Sequence, residues 1–114
     1  MAKSVNDTRA GGDTLMAGRG DNVLIGGPGD TLTAGHGDDT FLFRPNFGSN
    51  TVTHFNVHED TLLFDHATFS SVREILAHIT DTSIGAVISD GRGDAVTLPG
   101  IAAAQLHHND FHLV

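Results

Sequence analysis

The amino-acid sequence predicts an all-β protein, in which a short repetitive solenoid over residues 11–43 precedes a β-rich region, 44–114, with one short helix. Two observations support this fold class. A pattern of glycines and an acidic residue recurs about every nine residues between 11 and 43, and a β-branched or apolar triplet follows each acidic position. Residues 1–10 show neither feature, so we expect a flexible N-terminal segment there.

Composition and charge restrict the possible functions. The chain has 114 residues, enough for one compact domain, and 14 of them are glycine. Its 14 acidic and 6 basic side chains give a formal net charge of -8. This balance argues against nucleic acid or an anionic membrane as a partner and fits a surface that binds cations. Without cysteine, disulfides and thiolate zinc sites are excluded.

The sequence offers no membrane-targeting or catalytic signal. The first twelve residues lack an apolar core of signal-peptide length, and no window approaches the roughly 18 apolar residues of a membrane span. We therefore expect no membrane insertion, and no N-terminal signal if the protein is exported. No nucleophile elbow, metalloprotease or phosphate-loop motif occurs, so we expect no enzyme.

The repeated phrase has the form G-G-x-G-x-D-x-U-x, where U is a large apolar residue. Successive copies are 17–25, 26–33 and 34–42, and 13–16 is the tail of an incomplete earlier copy. Glycines at the second and fourth positions permit positive φ, so the chain can reverse there. A single copy would indicate only a turn of an ordinary all-β domain, but copies in register indicate a repeat architecture.

The triplets after the acidic positions predict very short strands. They lie at 14–16, 23–25, 31–33 and 40–42. A three-residue strand cannot bury a core alone, so successive copies must stack into a solenoid that shares one core. The residues predicted to point inward are Leu15, Leu24, Leu32 and Phe41.

This pattern resembles the calcium-binding nonapeptide of the RTX (hemolysin-type) family. The resemblance implies a parallel β-roll with two copies per coil, in which calcium lies between stacked turns and takes six to eight hard oxygen ligands. It places Asp13 near Asp30 on one side and Asn22 near Asp39 on the other. The ligands implied are the side chains of Asp13, Asn22, Asp30 and Asp39 and the backbone carbonyls of Gly18, Gly20, Gly27, Gly29, Gly35 and Gly37.

Three departures from the family pattern bear on affinity. The first copy keeps only Gly11 and Gly12 of its glycine arm, the copy ending at 33 is one residue short, and Asn22 stands where an aspartate is usual. Because ligand charge helps to set calcium affinity, we expect one good site and one or two poor ones, with dissociation constants towards roughly 10⁻⁴–10⁻³ M.

Beyond residue 43 the chain carries F-G-S-N-T-V-T-H-F at 47–55, D-T-L at 60–62, G-D-A-V-T-L at 93–98 and D-F at 110–111. With these motifs, residues 44–114 resemble the cap module that follows RTX repeats in many secreted bacterial proteins. Strands are predicted at 51–55 and 61–64, and a helix at 72–79 with Ser71 as its N-cap. A hairpin is predicted with strands at 84–88 and 94–98. We also expect a helical turn within 101–106 and a terminal strand at 110–114, an ending that resembles those read by type I secretion machines.

The resemblance implies a secreted, extracellular calcium-binding module that folds on calcium binding. It would be the C-terminal part of a bacterial protein exported by type I secretion, with calcium ions and that machinery as its partners. Two alternatives stay open. One is an accessory module that binds a polysaccharide or a surface through calcium, and the other is a calcium-independent structural fragment of a longer protein.

Overall fold

A computed structural model describes residues 3–7, by their backbone alone, together with residues 12 and 14–114. The strands are β1 (Lys3–Asp7), β2 (Thr14–Met16), β3 (Asp21–Gly26), β4 (Thr31–Thr33), β5 (Thr40–Phe43), β6 (Ser49–Thr53), β7 (Thr61–Phe64), β8 (Ile79–Asp81), β9 (Gly85–Ser89), β10 (Ala95–Pro99) and β11 (Phe111–Leu113). Helix α1 spans Val72–Ala77, and short 3-10 turns lie at Ala103–Gln105 and His108–Asp110. The described chain is therefore all-β with one short helix, as predicted.

From β1 to β7, consecutive strands alternate between two sheets, whereas β8, β9 and β10 all lie in the second sheet. The first sheet has the order β1-β3-β5-β7-β11, and the second has the order β2-β4-β6-β10-β9-β8. Strands two apart in sequence pair in parallel, so that Leu24 lies beside Phe41 in one sheet and Leu15 lies beside Leu32 in the other. This is the predicted parallel β-roll with two copies per coil.

The apolar core lies between the sheets. Leu24, Leu32 and Phe41 are fully buried, and Leu15, at the end of the second sheet, is partly buried against the same cluster. The predicted inward face is therefore confirmed. Complete burial of such a side chain contributes roughly 1.5–3 kcal/mol, which compensates for the short length of each strand.

Parallel stacking continues beyond the last glycine-rich copy. Strand β6 pairs with β4 and β7 pairs with β5, and the fully buried Val52 and Leu62 continue the two inward rows. Residue 43, the predicted boundary between repeats and cap, thus marks the end of the glycine rhythm and not the end of the solenoid. We call residues 14–64 the roll and residues 65–114 the cap.

The N-terminal segment also differs from expectation. Lys3–Asp7, placed by the sequence in a flexible segment, form β1, which pairs in parallel with β3 and sets Val5 beside Val23. Pairing satisfies backbone groups along the edge of β3 that would otherwise need water. The prediction of flexibility is therefore corrected for these five residues. Residues 1, 2, 8–11 and 13 lie outside the described residues.

The cap begins with α1. Its predicted N-cap is confirmed, because Ser71 Oγ accepts a hydrogen bond from the Glu74 N–H at 3.1 Å, and Ile75 is fully buried. The helix ends at 77 rather than at the predicted 79. Residues 79–81 instead form β8, which pairs antiparallel with β9 and was not predicted.

The remaining cap strands extend both sheets of the roll. The predicted hairpin is present as antiparallel β9 and β10, and β10 pairs in parallel with β6. The predicted terminal strand is present as β11, which pairs in parallel with β7. A chain of phenylalanine rings with centroids 5.2–5.8 Å apart crosses from roll to cap through Phe43, Phe47, Phe64 and Phe69. In the part of the chain that is described, no helix is long and apolar enough to cross a membrane.

Candidate metal centre

Polar residues stack in two columns at the edges of the roll, where the chain passes from one sheet to the other. The first column contains Asn22, Asp39 and Asp60, and the second contains Asp30 and Asn50. The registers of β3, β5 and β7 and of β4 and β6 place these residues at equivalent positions in successive coils. All five side chains are buried, with exposed fractions of 1–3%.

Backbone-to-side-chain hydrogen bonds link successive members of each column. In the first column, the Asn22 N–H donates to Asp39 Oδ1 at 3.1 Å and the Asp39 N–H donates to Asp60 Oδ1 at 3.0 Å. In the second, the Asp30 N–H donates to Asn50 Oδ1 at 3.2 Å. Each coil is therefore tied to the next by a buried polar contact as well as by the sheet.

The second oxygen of each carboxylate closes its own turn. Asp30 Oδ2 accepts from the Gly27 N–H at 2.7 Å, Asp39 Oδ2 accepts from the Gly35 N–H at 3.0 Å, and Asp60 Oδ2 accepts from Asn56 at 2.9 Å. Hydrogen bonds of this kind make it possible to bury a carboxylate, which would otherwise cost several kcal/mol. The acidic position therefore has a structural role in the turn in addition to its capacity to bind a cation.

Successive turns approach each other backbone to backbone on the first-column side. A Cβ atom at Gly35 would collide with the carbonyl oxygen of Gly18, and one at Gly37 would lie 2.5 Å from the carbonyl oxygen of Gly20. Gly37 also has a φ of 107°, which other residues rarely adopt. Glycine at these positions thus lets the carbonyl oxygens of one turn face the next turn directly.

The predicted ligands on this side are brought together. Gly18, Gly20, Asn22, Gly35, Gly37 and Asp39 all lie at the contact between turns 17–22 and 34–39. On the other side, Gly27 and Asp30 belong to one turn, and Gly29 contacts the next coil through its N–H, which donates to the Ser49 carbonyl at 2.9 Å. The remaining predicted ligand, Asp13, lies outside the described residues.

Two column residues were not predicted, Asn50 and Asp60. Both had a sequence signal, because Asn50 begins N-T-V-T where Asp30 begins D-T-L-T, and Asp60 begins D-T-L-L where Asp39 begins D-T-F-L. The turns before them lack the glycine spacing, which concealed the match. They extend both columns by one coil.

Among the carboxyl groups of the two columns, that of Asp60 has a clearly shifted pKa. Burial raises the pKa of its carboxyl to about 6, against the opposing effect of hydrogen bonds from the Asn56 and Asp39 backbones, while the charges of Asp39 and Glu59 raise it further. A positive ion close to these carboxylates would have the reverse effect. The first column therefore concentrates buried negative charge at its Asp39–Asp60 end.

The donor set suits calcium. The groups that converge on the turns are carboxylate, side-chain amide and backbone carbonyl oxygens, which are the hard ligands that calcium prefers. Among the described residues, no three histidine, cysteine or acidic side chains come together in a way that could hold a metal ion. Backbone carbonyl oxygens, which the close approach of Gly35 and Gly37 to the preceding turn brings near the side chains of the column, are the additional oxygen atoms at these turns.

The geometry defines a β-roll with stacked oxygen-rich turns, and comparison with known families agrees. The family model of the RTX calcium-binding nonapeptide repeat matches residues 7–40 in four copies. These residues are RTX repeats, and the chain carries a calcium-binding RTX module whose ion is Ca²⁺. Proteins with such repeats are typically secreted. No curated protein matches the chain.

Proposed function

We propose that this chain is a module that folds when calcium binds and that belongs to a protein exported by type I secretion. The observation that carries this proposal is the stacking of buried carboxylates, Asp30 in the second column and Asp39 above Asp60 in the first. Calcium between stacked turns would hold these carboxylates together with backbone carbonyls of the neighbouring turns, those of Gly27, Gly29, Gly35 and Gly37.

The physical reason for a calcium-dependent fold is electrostatic and entropic. At low calcium, buried like charges oppose the stacking of coils, and a glycine-rich chain loses much conformational entropy when it becomes ordered. Calcium contributes binding free energy only in the stacked state, so binding free energy becomes folding free energy. The module would therefore be loose in a low-calcium cytoplasm and ordered outside the cell.

The position of residues 110–114 links folding to export. Phe111 is 1% exposed, β11 completes the first sheet, and the Val114 N–H donates to the Phe64 carbonyl at 2.9 Å. A secretion machine that reads these residues must meet them before they pair with β7. Export would then precede folding, and extracellular calcium would drive the chain into the state in which this segment is buried.

The test of calcium-dependent folding is a far-UV circular dichroism titration from chelator to about 10 mM calcium, with magnesium as the control ion. We expect a calcium-specific gain of β signal with a midpoint near roughly 10⁻⁴–10⁻³ M. Asp39→Asn should weaken the response, while the neighbouring exposed Asp38→Asn should leave it unchanged. An equally ordered spectrum in chelator and in calcium would contradict the proposal.

Export needs a separate experiment. The chain would be co-expressed with a type I exporter, and secretion would be compared with that of a variant truncated after Asn109. Loss of secretion on truncation supports recognition of residues 110–114. Equal secretion of both chains would contradict recognition of these residues and leave calcium-dependent folding to be decided by the titration.

For the alternative function, polysaccharide binding, the relevant surface of the protein is acidic. A cleft of about 620 Å³ beside the first column is lined by Glu59, Asp60 and Asp110 together with His58 and His107. An acidic polymer would be repelled there unless calcium bridged it to the carboxylates. Retention of the protein on an acidic polysaccharide in calcium but not in chelator would favour this alternative.

A further inference from the structure

The Asn22 side chain lies at the centre of the contact between turns 17–22 and 34–39. Its Nδ2 is 3.3 Å from the Gly18 carbonyl oxygen, 3.1 Å from the Gly20 carbonyl oxygen and 3.0 Å from Asp39 Oδ1. The side chain is 3% exposed, so water competes little for these contacts. Three oxygen atoms from two turns thus converge on one nitrogen atom.

The surroundings fix which end of the amide faces these oxygens. Carbonyl and carboxylate oxygens are hydrogen-bond acceptors, and an amide can offer them either the two N–H groups of Nδ2 or its own acceptor oxygen. The acceptor oxygen would face three other acceptors with no proton between them. Only the nitrogen is compatible, and it presents the positive end of the amide dipole to the three oxygens.

Asp39, the equivalent residue in the next coil, accepts a hydrogen bond from its own turn where Asn22 donates. Asp39 accepts from its own turn, at the Gly35 N–H, whereas Asn22 donates to its own turn, at the Gly18 and Gly20 carbonyls. An aspartate at position 22 could not make these donations. It would leave two carbonyls without a donor and place its charge beside Asp39, a combination that a bound cation relieves.

We propose that the Asn22 amide takes the place of a calcium ion at this contact, because it satisfies the oxygens that an ion between these two turns would otherwise bind. Turns 17–22 and 34–39 then stack without metal, while calcium acts on the second column and on the Asp39–Asp60 end of the first. The part of this inference that concerns calcium rests on the proposed function. Asn22 is accordingly a positioning residue and not a calcium ligand.

A metal-independent contact has a consequence for folding. It keeps two coils in register at low calcium, so calcium has to order only the remaining turns. In chelator, hydrogen exchange should therefore be slower at the Asn22 and Gly35 amides than at the Gly27 amide, although all three donate to a buried carboxylate in the fully stacked state.

The experiment compares Asn22→Asp with Asn22→Ala in chelator and in calcium, by thermal unfolding and by calorimetric calcium titration. Ser83→Asp is the control for added charge, because Ser83 is exposed and lies in the cap, outside both columns. In chelator, both Asn22 variants should melt below the wild type, with Asn22→Asp lower. In calcium, Asn22→Asp should recover and bind about one more ion per chain, while Asn22→Ala should not recover.

Two results would overturn the inference. One is that Asn22→Asp is as stable as the wild type in chelator. The other is that it binds no more calcium than the wild type when the wild type itself binds calcium. If the wild type shows no calcium response at all, the proposed calcium-folded module fails, and the chelator comparison still decides whether the amide holds these turns together.

Discussion

The roll and the cap reach similar burial by different means. Strands β2 to β7 have three to six residues each and depend on stacked turns, in which Asp39 bonds to Asp60 and Asp30 bonds to Asn50 in the next coil. The cap contains a capped helix and an antiparallel hairpin, elements whose hydrogen bonds are mostly local. Its Arg92 guanidinium reaches the Thr68 carbonyl at 3.2 Å and so fixes the hairpin tip with an ordinary surface contact.

The difference shows where calcium can control the fold. In the roll, some of the polar groups buried between coils carry negative charge. The stability of the roll therefore changes with the cations available to these groups. In the cap, the helix N-cap and the aromatic packing of Phe64 on Phe69, with ring centroids 5.2 Å apart, involve no buried anion, whereas Asp94 and Asp110 are buried elsewhere in the cap. Helix α1 and its aromatic packing on the roll are thus suited to remain independent of calcium.

The largest effect should come from Asp39→Ala, which removes the acceptor of the Asn22 N–H, the Asn22 Nδ2 and the Gly35 N–H. A buried backbone N–H, that of Asn22, and a partly buried one, that of Gly35, lose their partner, and we expect a loss of roughly 2–5 kcal/mol in urea unfolding at fixed calcium. Asp38→Ala, exposed in the same turn, should change stability by less than about 0.5 kcal/mol. Equal effects of the two variants would show that the column does not stabilise the roll.

The backbone contact between turns is tested by Gly35→Ala. A Cβ atom there would collide with the carbonyl oxygens of Gly18 and Ala17, and separating the turns should cost roughly 1–3 kcal/mol. Gly18 is the matched control, because it occupies the equivalent position one coil earlier and a Cβ there would meet no described residue within 4 Å. If chemical denaturation shows Gly18→Ala to be as damaging as Gly35→Ala, close approach of the turns is not the cause.

On the cap side, Ser71→Ala removes the N-cap of α1. We expect a loss of about 1 kcal/mol, with the same size in chelator and in calcium, because no buried anion is involved. Thermal unfolding under both conditions measures it, and Ser71→Asp, which keeps an acceptor oxygen, should restore most of the loss. A loss that appears only in calcium would mean that the cap depends on metal as the roll does.

The smallest effect concerns pH at the junction of hairpin and roll. Burial, followed by a hydrogen bond with Asp90, raises the pKa of Asp94, while the Gly48 N–H donates to its Oδ1 at 2.8 Å and opposes the rise. When the folded-state pKa of a carboxyl group is raised, protonation of the group stabilises the folded state fully at pH values below the unfolded-state pKa, which is about 4. This contribution to stability is lost as the pH rises through the folded-state pKa.

Asp94→Asn keeps an acceptor for Gly48 and is neutral at every pH. Its stability relative to the wild type should therefore increase slightly between about pH 4 and pH 7 in urea unfolding curves. Asp81→Asn, an exposed change elsewhere in the cap, serves as the control for general charge effects. A stability difference between Asp94→Asn and the wild type that does not change with pH would show that Asp94 is not perturbed in the folded state.

Much of the site followed from local spacing. The glycine and aspartate rhythm predicted a solenoid and its inward residues, and the resemblance to the RTX family, whose β-roll has two copies per coil, implied that Asn22 lies beside Asp39. It did not predict that Asn50 and Asp60 continue the columns. Their turns use Pro45–Gly48 and Asn56–Asp60 in place of the glycine arm, which concealed the equivalence that the strand pairing establishes.

The sequence by itself determined the solenoid, the buried row and the family of the repeats, since each depends on residues within a few positions of one another. Only the tertiary structure decided where the roll ends, that β1 and β8 exist, and that the Asn22 amide donates to the Gly18 and Gly20 carbonyls and to Asp39. The end of the roll, β1 and the contact of Asn22 with Asp39 depend on partners 17 or more residues away, and β8 depends on its pairing with β9. The direction of the Asn22 hydrogen bonds depends on the polarity of the groups around a buried side chain, which no local pattern encodes.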